Sequence, residues 1–475
     1  TLVLRDFRFT KTSIGINVTR IDISNVCITN NSLVSLTKLL NTDGRRIQTL
    51  IAKKCGLSIY QIDDLLKSLR YNESVEILNI SNNPVVRWDS IYQLLGYNKT
   101  LKHLSLESTQ IQTSFISSGG SLRNETLISL SLASTQLSFR VLEEISVYLL
   151  KNSQLKSLIL TGCHLRSTGH VRALRKYLDN TRILKELNVD RCFQLHSFAK
   201  FVGFLLKNRS IETLLTNVNT INQSDLNCLI NNLKHNRTLK RLSLKDTYVV
   251  DGSGFSQLYQ LLKMNTSIHT LDFVLDFKSI FIRDENFDSY YDFMKNYKGL
   301  LTRFNCIPNP VILKTLEVNK TIISLTLTWR DANGFTKSEA IDAIRSLIRF
   351  NKNVEDLRIY VPLTTSEFRS IIDEFVHNDS IQQLSTSYVT KSKFPLQEIY
   401  RDKTYIFRKN HTLKLIIYNC DGESRDMAYN YDVDQLRKTI YDKDIMFDTM
   451  SNVRNVCYLL NHVMEHKNKK RKLNK

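Results

Sequence analysis

The residues with the most evident chemical potential sit near the C-terminus, in His462-Val-Met-Glu-His466. Two histidines four apart share one face of a helix, and with the adjacent glutamate they match a zinc-hydrolase spacing, H-x-x-E-H. Zinc needs a third protein ligand from elsewhere. Only nine residues follow, and they include Lys467, Lys469, Lys470, Arg471, Lys472 and Lys475, which repel a cation. We read the segment as the solvated face of a capping helix, and expect no metal site, no cofactor and no catalytic residue.

Other reactive groups have similar double readings. Cys163 and Cys192 occupy equivalent positions one sequence period apart. Thiols on neighbouring strands could share a metal, but a small buried side chain bonding a turn is the simpler account. Arg172, Arg175 and Lys176 have helical spacing, and with Arg166 and Arg182 they could hold phosphate. A solvated helix face is the simpler account of them. Lys469-Lys-Arg-Lys472 fits an import signal or an anchor to an anionic surface, or a plain charged tail. Lys443-Asp-Ile-Met-Phe447 fits the degenerate docking pattern for protein phosphatase-1. Phosphate loops, dinucleotide-binding glycine motifs and the hydrolase nucleophile elbow are not found in the sequence.

These groups are positioned by a repeat. The frame L-x-x-L-x-L-x-x-N/C/T-x-L begins at Val18, Ile47, Val75, Leu101, Leu127, Leu155, Leu184, Ile211, Leu239 and Ile268, in steps of 26 to 29 residues. Its first half alternates apolar and polar residues, the period of a strand. Helical periodicity follows, as in Gln61–Leu69, Val141–Leu150 and Leu226–Leu233. The ninth position (Cys55, Asn83, Thr109, Thr135, Cys163) is small and polar, suited to bonding free backbone groups along a ladder. Helices are expected to end at Asn72, Asn98, Asn152, Asn208, Asn236, Asn265, Asn351, Asn378 and Asn410, with asparagine taking the left-handed conformation. Glycosylation motifs such as Asn98-Lys-Thr100 and Asn236-Arg-Thr238 then become structural punctuation. Past Ile268 the register loosens, with strands expected near Leu301, Ile322, Val354, Ile381 and Leu413.

The expected organisation is a truncated N-terminal repeat at 1–17, a solenoid at 18–420, a helical cap at 421–466 and a basic tail at 467–475. With 475 residues, 42 % hydrophobic content and only 14 glycines and 5 prolines, the chain reads as one continuous body. No apolar run is long enough to cross a bilayer, and Thr1-Leu-Val-Leu-Arg-Asp-Phe has no signal-peptide pattern. Lacking an initial Met, the chain reads as a piece of a longer protein. Eight scattered cysteines without a CxxC pair suit a reduced compartment, cytoplasmic or nuclear. The net charge of +20 points to an acidic partner, whether protein, nucleic acid or anionic lipid.

The period and the full helix per repeat resemble the ribonuclease-inhibitor/RanGAP-like leucine-rich repeats, over roughly Leu2 to Asn419. Lys207-Asn-Arg-Ser-Ile211 and Arg408-Lys-Asn-His-Thr-Leu413 are similar to the repeat region of capping-protein-regulating (CARMIL-type) actin scaffolds. The resemblance implies an α/β solenoid with parallel strands on a concave face and helices outside. It also implies a non-enzymatic scaffold that holds a protein on that face, or an activator of a small GTPase. The RanGAP relatives carry an acidic tail where this chain ends in Lys469-Lys-Arg-Lys472, so no functional residue is transferred. Strand positions facing away from the core are then the candidate site: Lys185, Glu186, Asp190, Lys240, Arg241, Lys245, Arg358 and Tyr360, with Trp329 at the rim.

Overall fold

The computed structural model describes residues 2–3, 18–42, 47–113, 123–193, 197–249, 254–277, 287–329, 335–388, 413, 415–420 and 428–432. Three-residue strands occupy frame positions three to five of the expected repeats, as in Ile77–Asn79, His103–Ser105, Ser157–Ile159 and Glu186–Asn188. They pair in parallel in chain order, Leu78 with Leu104 and Leu158 with Leu187. The looser segments keep the same register: Arg303–Cys306, Ser324–Thr328, Asp356–Leu363, Gln383–Tyr388 and Leu415–Cys420 begin two residues into each expected repeat. Leu2–Val3 pairs with Arg20–Asp22 at the other end, giving one sheet of 17 strands among the described residues.

The helices follow their strands and bury one side. Ile59–Leu69 buries Ile62, Leu65, Leu66 and Leu69, and its N-terminus is closed by a capping box between Ser58 and Gln61. The apolar residues at frame positions one, four and six form the core, for example Leu155, Leu158 and Leu160. Each contributes on the order of 2 kcal/mol of apolar burial. Packed helices stand about 8–10 Å apart and paired strands about 4.7–4.9 Å apart. A stack that satisfies both must bend, with the sheet on the inside. The chain is therefore an α/β leucine-rich-repeat solenoid.

Two side-chain ladders fix the turns. At frame position nine, side chains donate to the carbonyl of position six in the preceding repeat. Cys55 bonds Ile23, Asn83 bonds Ala52, Thr135 bonds Leu106, Cys163 bonds Leu132, Cys192 bonds Leu160 and Thr247 bonds Thr216. The thiols of Cys163 and Cys192 are thus hydrogen-bond donors in separate rungs. Burial pushes the Cys163 thiol up to about 12 and Cys192 further still.

The second ladder corrects an expectation. Among the described residues the helix-ending asparagines are not left-handed: Asn98 has φ −71° and Asn351 φ −76°, while Asn410 lies outside the described residues. Their role is in the amide. Asn236 Nδ2 donates to the carbonyls of Leu205 and Asn208 in the previous repeat, while Oδ1 accepts from the N–H groups of Thr238 and Leu239. Asn98, Asn208, Asn265, Asn351 and Asn378 repeat this arrangement, and Asn124 joins the ladder although it is not among the expected helix ends. All are nearly inaccessible. Most left-handed residues lie instead at frame position eight, where Asn25, Lys54, Asn82, Ser108, Ser134, Gly162, Arg191, Val218 and Asp246 have φ between 51° and 73°; Gly56 and His164 are left-handed at position ten. This turn sends the chain from the strand toward its helix.

At the C-terminal end, the segment expected to be helical opens differently. Ala428–Asp432 is a strand, antiparallel to Leu415–Cys420, with Ile417 opposite Asn430. An antiparallel strand covers a sheet edge that a parallel repeat would leave open. The two helices expected within 434–466 lie outside the described residues.

Candidate functional site: the strand face

Side chains at frame positions three, five and seven point away from the leucine core and form the inner face. Many of their polar groups bond one another. Ser81 Oγ meets Ser105 Oγ at 2.8 Å, and Ser131 Oγ donates to Glu107 at 2.9 Å. Thr161 donates to Asn188 at 2.8 Å. Asn217 donates its backbone N–H and Nδ2 to the two oxygens of Asp190, at 2.6 and 3.2 Å, and accepts from Ser243 Oγ at 2.6 Å and from the backbone N–H of Lys245 at 2.8 Å. A polar surface tied in this way is held in one arrangement before any partner arrives.

Along the margin where the strands begin, charges alternate. Lys185 Nζ and Lys240 Nζ lie 2.7 and 2.6 Å from the two oxygens of Glu212. Hydrogen bonds from Lys185 and then Lys240 hold the Glu212 carboxyl below its ordinary value. Arg241 reaches Asp272 at 3.7 Å on the next strand. Glu186 accepts from Ser157 at 3.4 Å. Lys185, Glu186, Asp190, Lys240, Arg241 and Lys245 therefore belong to one contiguous area of three neighbouring strands and their exits.

Arg358 and Tyr360 share that sheet but not that area. The row running from Ser243 through Asp272, Asn305 and Thr326 reaches Arg358 four strands on. That is roughly 19 Å at strand spacing. Arg358 bonds both oxygens of Asp356 on its own strand, at 2.9 to 3.3 Å, an interaction that raises the guanidinium above its usual value. Trp329 follows its strand and is half-buried. Its ring meets Phe335 edge-on at 5.9 Å and packs against the core, so much of it is structural.

The cluster on helix Thr168–Leu178 does not converge. Arg175 turns to Asp179 at 3.3 Å and to the Lys200 carbonyl of the next repeat, whereas Lys176 lies 3.9 Å from Glu143 of the previous one. Arg172 is exposed. Lys469, Lys470, Arg471 and Lys472, the phosphatase-docking pattern and the His462 motif lie outside the described residues.

Sequence reasoning misses Glu212, Asn217 and Asp272, the acidic and amide groups that organise the cations. Reading the second frame position down successive repeats gives Lys156, Lys185, Glu212, Lys240, and the acid set between two lysines is then visible.

No family model matches this chain, and no curated protein matches it. Among solved structures it is similar to the leucine-rich-repeat protein LegL7 of Legionella pneumophila, at 13 % identity over 63 % of this chain and 97 % of that one, TM-score 0.36. It is similar to the yeast Rad7–Elc1 complex at 14 % identity over 77 % and 90 %, TM-score 0.39. It is also similar to TLR13 in complex with ssRNA13 at 15 % identity over 86 % and 57 %, TM-score 0.45. The fold class stands on the chain's own strand ladder and turn geometry. No helix among the described residues is long and apolar enough to cross a membrane.

Proposed function

We propose that this chain is a non-enzymatic scaffold of the ribonuclease-inhibitor-like class, holding a protein partner against the strand face. One observation carries the reading: the Asp190–Asn217–Ser243 network and the Lys185–Glu212–Lys240 bridge fix a charged surface in advance. Preorganised groups lose less entropy on binding, so more of each contact survives as affinity. Steps of 26 to 29 residues, with α-helices of ten to thirteen residues in most of the described repeats, support the class. Buried, unpaired thiols at Cys55, Cys163, Cys192 and Cys306 support a reducing, intracellular setting.

The experiment compares the wild-type chain with Arg241→Glu/Arg358→Glu/Tyr360→Ala as baits in the same lysate, after circular dichroism has shown equal folding. A protein retained by the wild type and lost from the variant supports the strand face. Full retention of every captured protein by the variant removes it.

A further inference from the structure

Part of the positive charge lies in a row of arginines that the strand-face reading does not use. Arg182, Arg209 and Arg237 occupy the same place in three consecutive repeats, two residues before each frame begins. All three are anchored alike. Arg182 Nη1 donates to the carbonyls of Asp179 and Thr181, at 3.2 and 3.1 Å. Arg209 Nη1 donates to Leu205 and Asn208, at 3.3 and 3.0 Å. Arg237 Nη1 donates to Lys234 and Asn236, at 2.8 and 3.3 Å. Each guanidinium is thereby pinned across the C-terminal end of its own helix, where the helix dipole favours a cation. One nitrogen is used, and the rest of each fork is left for another ligand. Among the described residues none of the three has an acidic partner.

This row is the centre of a wider basic edge. The segments 151–156, 179–185, 206–212 and 234–240, each ending at the second frame position, form the helix-to-strand edge of four neighbouring repeats. They carry nine Lys and Arg against two carboxylates, Asp179 and Glu212, and both carboxylates are already engaged, with Arg175 and with Lys185 and Lys240. Lys156, Lys207 and Lys234 are exposed beside the arginine row. The cations then turn the corner from the helix ends onto the sheet margin at Lys156, Lys185 and Lys240.

We infer that this edge binds the phosphodiester backbone of a single-stranded nucleic acid. Anchored guanidinium groups spaced one per repeat present forks that match phosphate oxygens without first having to be ordered. A charged track that bends around a corner suits a flexible thread better than a flat bilayer, which would touch only one side of it. Exposed Tyr71 and Tyr97, with ring centroids 5.8 Å apart, lie at the equivalent helix ends of earlier repeats and offer faces on which bases can stack.

The test uses the full chain and a fluorescent single-stranded RNA of mixed sequence, titrated from low to moderate salt, with phosphatidylserine vesicles as a parallel arm. Three variants are compared after their thermal melts are recorded: Arg182→Gln/Arg209→Gln/Arg237→Gln, Lys156→Gln/Lys207→Gln/Lys234→Gln, and Lys469→Gln/Lys470→Gln/Arg471→Gln/Lys472→Gln. The lysine set takes no part in pinning the helix ends through its side chains, so it keeps the test valid should the arginine set fold poorly. The expected result is salt-dependent RNA binding that falls about tenfold or more in each edge variant, with a shallower salt slope, and changes little in the tail variant. RNA binding unchanged in both edge variants, binding lost only with the tail, or binding to vesicles and not to RNA each overturns the proposal.

Discussion

Lys185 and Lys240, two repeats apart in sequence, grip the two oxygens of one carboxylate, that of Glu212. The bridge spans three strands. Its Glu212 carboxyl is held below the ordinary value of 4.5 by those two hydrogen bonds. A depressed folded-state value means a contribution that is fully present above the unfolded value and lost as pH falls through the folded one. Glu212→Gln should therefore cost stability near neutral pH. The difference from wild type should shrink as pH drops below 4.5. Because the groups are partly exposed, the cost should be about 0.5 kcal/mol, measured by urea unfolding at neutral pH and again in acid.

A larger loss is expected from the asparagine ladder. Asn236→Ala removes both carbonyl bonds made by Nδ2 and both N–H bonds taken by Oδ1, in a site nearly closed to solvent. Unpaired buried polar groups should cost about 3 kcal/mol in total, seen as a lower urea midpoint. Asn236→Asp keeps the acceptor but sets a carboxylate oxygen against the facing carbonyls, so it too should destabilise. The same burial predicts that Asn98 and Asn236 stay unglycosylated in the folded chain, read by intact mass after expression in a glycosylating host.

Val218 offers a gain. Among the left-handed residues at frame position eight it is the one with a β-branched side chain, at φ 54°. Branched side chains are strained in that region. Val218→Asn should stabilise the chain by about 1 kcal/mol, checked by the same unfolding measurement. An unchanged midpoint would mean that neighbouring packing already offsets the strain.

The thiols should divide sharply. Cys27 is exposed, whereas Cys163 and Cys192 are buried donors whose ionisation is pushed to about 12 and beyond. Iodoacetamide at mildly alkaline pH should label Cys27 first and leave Cys163 and Cys192 unmodified until denaturant is added. Cys163→Thr preserves a donor to Leu132 and should cost less than Cys163→Ala.

These outcomes follow where the sequence is most legible. The leucine period locates the repeat strands through Leu415–Cys420, because a short strand and a buried helix face leave a strict apolar signature. The ninth-position ladder is legible for the same reason: Cys55, Asn83 and Thr135 share smallness and a donor. The asparagines are recognisable as punctuation, but local preference assigns them the wrong conformation. Asparagine's tolerance of positive φ is a property of one residue, whereas Asn98 and Asn236 bond the previous repeat, and that requires the stack. The strand Ala428–Asp432 is hidden from sequence because antiparallel pairing there depends on an exposed edge that no local pattern encodes. The strand-face site is legible as positions but not as a surface. Lys185 and Lys240 stand out by charge, while Glu212, which holds them, lies on the strand between them and is meaningful only beside them.

The most direct test of the scaffold reading is site-specific photo-crosslinking in lysate, with the photoreactive residue at Thr213 or the exposed Lys245 on the strand face and, as control, at Arg172 on the helix face. The account predicts a discrete crosslinked protein from the strand-face positions that is absent from the Arg172 position and lost with Arg241→Glu. Crosslinks of equal intensity from Arg172, or none from either strand position while partners still co-purify, would contradict it.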